Sequence, residues 1–221
     1  MNIIAIGAHA DDIELAAGGL LADATQAKHK VKMVIVSNSA YTSFDGSVQR
    51  TKEQASKEAR TAAKKLGVTD VNILDFPTKN IPYNSTSVET IDSIVSQFEA
   101  DVVLTHWPHD THQDHRRVSL ATISACRYLN NILFYEPIKP SGRSYQGFHA
   151  QAYHPVSEPT MQKKIASLKA HASQYKKYGE AEWIDAIVAR NRLHGFELGT
   201  SKYAEAFEIM RWTLDFRKAL L

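Results

Sequence analysis

Two short segments gather the side chains able to do chemistry. The first reads Gly7-Ala8-His9-Ala10-Asp11-Asp12-Ile13-Glu14. The second reads Thr105-His106-Trp107-Pro108-His109-Asp110-Thr111-His112-Gln113-Asp114-His115-Arg116. Imidazole nitrogens and carboxylate oxygens suit borderline divalent ions such as Zn2+, and a catalytic site takes three such ligands and leaves a position open. His9 and Asp12 can reach one ion from a single turn, and the histidine-rich segment can add a third ligand. With one of the paired carboxylates Asp11 and Asp12 on a metal, the other stays free as a base. An isolated Asp-Asp is more simply a helix N-terminus, where acids complement the dipole. His9 and a second His/Asp cluster turn the balance toward a metal.

In the second segment His106, His109, His112 and His115 recur every third position. Pro108 disfavours a helix through the first two, so the four do not share one face. With a helix starting near Gln113, His112 and His115 stand at its mouth, and Asp114 can hydrogen-bond an imidazole and fix its tautomer. His106 and His109 read as loop or supporting residues rather than ligands. Arg116 and Arg117 read as helix surface charges, with a place for one of them near an anionic substrate group as the alternative. A dinucleotide site would want G-x-G-x-x-G after the first strand. Only Gly7, Gly18 and Gly19 are available there, wrongly spaced, and two carboxylates occupy the place of the phosphates.

Elements must hold these segments together. Short apolar runs at Ile3–Ile6, Val31–Val36, Val71–Leu74, Val102–Leu104 and Ile132–Tyr135 start about 28 to 40 residues apart, the length of a strand plus a crossover helix. Runs without polar alternation suit strands buried on both faces of a parallel sheet. Between them, Ala55, Ala59, Ala62, Ala63 and Leu66 form a helical stripe that stops at Gly67. Thr86 with Glu89 reads as a capping box ahead of the stripe Val88, Ile91, Ile94, Val95 and Phe98. An open α/β sandwich is expected over roughly residues 1–136, with both chemical segments at carboxyl ends of strands, where open sheets bind ligands. Glu136 to Gly147, with Pro137, Pro140, Gly142 and Gly147, reads as a surface loop rimming a site. A helix is expected from near Pro159 carrying Ile165, Leu168, Ala172 and Tyr175. Another carries Trp183, Ile184, Ile187 and Val188, and Phe207–Trp212 reads as a strand.

Composition narrows the function classes. The 221 residues are expected to form one domain, large enough to bury roughly 70% of the unfolded surface without disulfide or metal staples. Lys plus Arg is 26 against 24 Asp plus Glu, which argues against a general nucleic-acid binder. The single cysteine, Cys126, excludes an internal disulfide and a thiolate zinc site. No apolar run approaches membrane-spanning length, and no signal-peptide pattern opens the sequence, so a soluble cytoplasmic protein is expected.

The paired motifs resemble those of the LmbE/PIG-L-like family, zinc-dependent de-N-acetylases acting on N-acetylglucosamine-containing molecules. Ala8-His9-Ala10-Asp11-Asp12-Ile13-Glu14 is similar to the family's A-H-P-D-D-x-E, and His112-Gln113-Asp114-His115-Arg116 to its H-x-D-H-R. His171-Ala172-Ser173-Gln174, and Gly199 followed by Tyr203-Ala204-Glu205-Ala206-Phe207, also look like family stretches. The resemblance implies a Rossmann-like three-layer sandwich with a mostly parallel central sheet. It implies metal ligands His9, Asp12 and His115, with Zn2+ or another divalent ion such as Fe2+. It gives Asp11 the general base, His112 the oxyanion or leaving-amine contact, and Asp114 the orientation of His112. Arg50 is the candidate for the family's substrate-binding arginine. Ala10 departs from the usual proline. The implied reaction is hydrolysis of an N-acetylated amino sugar with release of acetate, in a protein that assembles as a trimer or hexamer. A metal amidase on a non-sugar amide or other acyl group, and a catalytically silent metal-binding protein, are the competing functions. Intact Asp11 and His112 argue against the second.

Overall fold

Apolar residues on both sides of each short run give the sheet its two buried faces. Along the first strand Ile3 and Ala5 enter one core with Met33 and Leu104, while Ile4 and Ile6 enter a second with Val34, Val36 and Val103. The computed structural model describes residues 1–138 and 141–213. Pro140 of the expected turn-rich stretch lies outside them. In chain order the first half comprises β1 (Asn2–Gly7), α1 (Asp12–Gln26), β2 (Lys30–Ser37), β3 (Tyr41–Thr42), β4 (Val48–Arg50), α2 (Lys52–Leu66), β5 (Asp70–Phe76) and α3 (Ser85–Phe98). Then follow β6 (Val102–His106), α4 (Gln113–Ala125), β7 (Ile132–Tyr135), β8 (Ala152–Val156), α5 (Glu158–Ala170), α6 (Ala172–Lys177), α7 (Ala181–Leu198) and β9 (Tyr203–Arg211).

Seven strands form the central sheet in the order β5-β2-β1-β6-β7-β9-β8, and β3 pairs with β4 in a separate hairpin. The first five are parallel, and β9 turns antiparallel to both β7 and β8. Helices α1, α2 and α5 pack together on one face, and α3 and α4 on the other. This is the α/β three-layer sandwich expected. The strand order reverses between β1 and β6, so a crevice opens where both strands end, at Gly7 and His106.

Local differences from the expected elements have plain causes. Helix α3 is capped by Asn84, whose side chain accepts from the Ser87 amide while Ser87 accepts from the Asn84 amide. Thr86 and Glu89 therefore lie inside the helix and do not form its cap. The single helix expected from Pro159 through Tyr175 breaks at His171 (φ −79°, ψ 64°), whose ring is held by Glu14 and Arg50. Gly67 ends α2 at φ 85°, as a left-handed terminator should.

One buried ion pair ties the antiparallel end of the sheet to the first helix. Glu205 on β9 accepts from Lys164 Nζ of α5 at 2.6 Å and from the amides of Gly19 and Leu20 at 2.7 and 2.8 Å. A Cβ at position 19 would meet Val156 at 2.7 Å and the Glu205 carboxyl at 3.1 Å, so glycine is what lets α1 approach. Lys164→Ala should lower the unfolding free energy by about 3–5 kcal/mol, because it strands a buried carboxylate. Urea denaturation followed by circular dichroism measures this, and an unchanged midpoint would show that the pair contributes nothing.

Candidate functional site

Residues 8–11 leave β1 as a loop pinned from several sides. The Ala8 amide donates to His106 Nε2 at 2.9 Å, the Ala10 amide to Ser39 Oγ at 2.9 Å, and Arg50 donates to the Ala10 carbonyl at 3.1 Å. A proline at position 10 could not make the Ser39 bond, so the departure from the family pattern is used by the fold. These anchors hold Asp11 at φ 129°, a conformation that costs a non-glycine residue about 1–3 kcal/mol. Asp11 sits at the N-cap of α1, yet its carboxylate makes no capping bond. Burial first, and then the charge of Asp12, push it up to about 6.

Three donors face one another beside it. His115 Nε2 lies 3.3 Å from His9 Nδ1, and the Asp12 oxygens lie 3.4 Å from each of those nitrogens. A tetrahedral zinc with arms of about 2.0–2.1 Å has ligand edges of about 3.3–3.4 Å, so the donor set fits such an ion by type and the two nitrogens fit it by spacing, with one Asp12 oxygen beside each. The outer nitrogens are occupied. His9 Nε2 donates to Asp114 at 3.0 Å and His115 Nδ1 to Asp110 at 2.8 Å, so the facing nitrogens are the ones a cation would take, displacing the second proton of His115. Burial alone would depress His115, but Asp12 and Asp110 outweigh it and raise it to about 10. The surplus of carboxylate that does so is what a divalent cation would answer.

Two further histidines border this trio, and ligand atoms also converge within the triads His9–His112–His115 and Asp12–His106–His115. His106 Nε2 lies 3.2 Å from Asp12, but its lone pair is already taken by the Ala8 amide. Burial and the charge of His115 push His106 down to about 4. His112 caps α4, with Nδ1 accepting from the Asp114 amide at 3.2 Å. The proton of its neutral ring therefore sits on Nε2. Burial, then the charges of His115 and His9, push His112 down to about 4 and keep it neutral near pH 7.

Most residues singled out from the sequence converge here. His9, Asp11, Asp12, His112, His115 and Arg50 all line one cavity. Asp114 is buried behind it, but its carboxylate does not orient His112. That carboxylate bonds His9 and the amides of Lys79 and Ile81, and only the Asp114 backbone holds His112. A side chain on the first turn of α4 points across the crevice to β1, whereas His112 precedes the helix. Arg50 is paired with Glu58 at 2.9 Å, and its buried Nε lacks a partner among the described residues. His109 is exposed and apart from the cluster, whereas His106 belongs to it. Sequence reasoning missed Asp110, whose spacing of five from His115 gave no helical or strand signal. It also missed the wall from α6 and α7, which includes Lys177, Tyr178 and Trp183.

Comparison with known proteins places this geometry among relatives. The family model described as PIG-L, GlcNAc-PI de-N-acetylase, matches residues 4–126. The chain is 34% identical over 178 residues to the uncharacterized deacetylase YaiS of Escherichia coli K12, covering 78% of this chain and 91% of that one. The N,N'-diacetylchitobiose deacetylase of Pyrococcus horikoshii superposes with a TM-score of 0.79 at 19% identity, covering 95% and 83% of the two chains. The 4-carboxy-2-hydroxymuconate hydratase GalB of Pseudomonas putida KT2440 superposes with a TM-score of 0.79 at 17% identity, covering 99% and 100%. At such identities the structures share a fold, and a fold alone does not fix a reaction.

The carboxylates behind the histidines make a separable prediction. Asp110→Asn and Asp114→Asn should each weaken zinc binding by about 10–100-fold, while His109→Ala leaves it unchanged. Competition with a chromophoric chelator reads this directly. Loss of zinc in His109→Ala alone would mean that the wrong histidines have been grouped.

Proposed function

Because the chain belongs to the PIG-L family of GlcNAc-PI de-N-acetylases, we propose that it is a metal-dependent hydrolase removing the N-acetyl group from an N-acetylated amino sugar. The observation that carries this reading is an uncapped, buried carboxylate, Asp11, next to three mutually facing donors, His9, Asp12 and His115. A site built only to hold an ion needs no such free base, and it needs no neutral histidine presenting Nε2–H. The diacetylchitobiose deacetylase of the same fold makes an N-acetyl sugar the first substrate to test.

His9, Asp12 and His115 would hold the ion, with zinc the first choice and iron(II) the alternative. A divalent cation there lowers the pKa of water and polarises the acyl carbonyl. Asp11 takes one proton from the attacking water as its oxygen adds to the acetyl carbon. His112 donates Nε2–H to the carbonyl oxygen as negative charge develops on it. The carbon–nitrogen bond then breaks, the proton held by Asp11 passes to the departing nitrogen, and the products are acetate and a free amine. Asp114 acts as a positioning residue, through its carboxylate on His9 and its amide on His112. Arg50 supplies a fixed cationic wall for the substrate, tethered by Glu58, His171 and the Ala10 carbonyl.

Acetate release from free, phosphorylated and glycoside-linked N-acetylhexosamines is the direct test, and turnover of non-carbohydrate amides alone would overturn the sugar assignment. The two adjacent aspartates should also separate. Asp11→Asn keeps the ion and loses about 10²–10⁴ in rate, since an amide cannot accept the proton. Asp12→Asn loses ion and rate together. Metal content and turnover measured side by side decide the matter. A near wild-type rate in Asp11→Asn would sink the assignment of base.

A further inference from the structure

The mouth of the cavity carries positive charge for which the hydrolysis has no use. One wall is the hairpin rung formed by Tyr41 of β3 and Arg50 of β4. Lys79, from the loop after β5, and Lys177, at the end of α6, both line the cavity, and each places Nζ 4.5 Å from the centroid of the Tyr41 ring. The two ammonium groups are therefore no farther apart than twice that distance. Among the described residues neither lysine forms an ion pair, in contrast to Lys32, Lys52, Lys164 and Lys202. Among the described residues the one hydrogen-bond partner of Lys79 Nζ is the Thr42 carbonyl at 3.3 Å.

The cavity's carboxylates have other partners. Asp12 is engaged with the histidines, Glu136 with Arg190 and His194, and the charges acting on Asp11 are those of Asp12, His171, Arg50 and His9 rather than of either lysine. Arg50 is already paired with Glu58, so the two lysines are the uncommitted cations of the wall. The face of the tyrosine ring stabilises each ammonium modestly but does nothing for their mutual repulsion. The carboxylates of the cavity, Asp11, Asp12 and Glu136, belong to other groupings, and an anion lying between the two lysines relieves their repulsion. The Lys79 amide donates to Asp114 at 2.6 Å, so this ammonium stands at the outer end of a side chain rooted at the reaction centre.

We propose that the cavity mouth selects substrates bearing an anionic oxyacid group, carboxylate or phosphate, on the part of the molecule away from the amide, held between Lys79 and Lys177 over Tyr41. This deepens the amino-sugar reading and rests on it. The test uses zinc-loaded protein and three N-acetylglucosamine glycosides whose aglycones are methyl, carboxymethyl and 2-phosphoethyl. The charged glycosides should exceed the methyl glycoside in kcat/KM by about tenfold or more, the sum of two modest exposed ion pairs. That ratio should fall toward one in the Lys79→Gln/Lys177→Gln double variant. In wild type it should also fall as salt rises from about 20 mM to about 500 mM. The carboxymethyl and phosphoethyl arms tell which oxyacid is preferred. Equal kcat/KM on all three glycosides, or a ratio that the double variant leaves unmoved, overturns the proposal. If none releases acetate, the amino-sugar reading fails on its own. Calorimetric binding of the same three compounds then decides charge selection: a preference for the anions that the double variant loses upholds it, and equal binding overturns it.

Discussion

Parallel pairing of β1 with β6 is the constraint on which the site depends. The two strands lie about a hundred residues apart in the chain, and their registered ends bring Gly7 and His106 to the same edge of the sheet. Crossovers to β2 and β5 run one way from this seam, and those to β7, β9 and β8 run the other. Neither helix layer covers the gap left between them. Both chemical segments leave their strands into that gap, so the fold needs no further device to make them meet. The bond from the Ala8 amide to His106 Nε2 closes the seam at its top, with the His106 ring stacked 4.0 Å from that of His115.

Around this seam the electrostatics divide the labour among chemically similar groups. Three histidines within ten residues end up in different states because their neighbours differ. His115 is raised by two carboxylates that outweigh its burial, whereas His106 and His112 are pushed down by burial and by the charge of His115. The adjacent aspartates diverge in the same way. The histidines around Asp12 hold it well below the usual carboxylate range against the effect of burial. Asp11 is raised by burial and by Asp12, which outweigh the charges of His171, Arg50 and His9. Position along the backbone turn decides which aspartate meets which neighbours.

Much of this was legible in the sequence because it rests on periodicity and on residue type. The five parallel strands were readable from apolar runs, since a strand buried on both faces has no polar alternation to blur it. The residues around the donor trio were readable because histidine and aspartate have few other reasons to cluster. What escaped depends on tertiary contact. Strand β8 reads Ala152-Tyr153-His154-Pro155-Val156, and only its pairing with β9 makes it a strand. The cap of α3 fell to Asn84, two residues before the expected Thr86, where Asn84 and Ser87 cap each other. The carboxylate of Asp114 went to His9 because the crossing of α4 over β1 is not a local property. Lys177 lines the cavity from the short helix that follows the break at His171, whose ring meets Glu14 and Arg50 from other elements.

The backbone at Asp11 has a consequence for how this sequence can drift. Its φ of 129° is one that glycine adopts freely and aspartate does not, so the position holds about 1–3 kcal/mol that any mutation to glycine would release. For a domain whose whole margin is about 5–15 kcal/mol, that is a sizeable gain in foldability. The same change would delete the proposed base. Stability and turnover thus pull residue 11 in opposite directions, and drift relaxed from catalytic selection has a downhill path there toward a sturdier, silent protein.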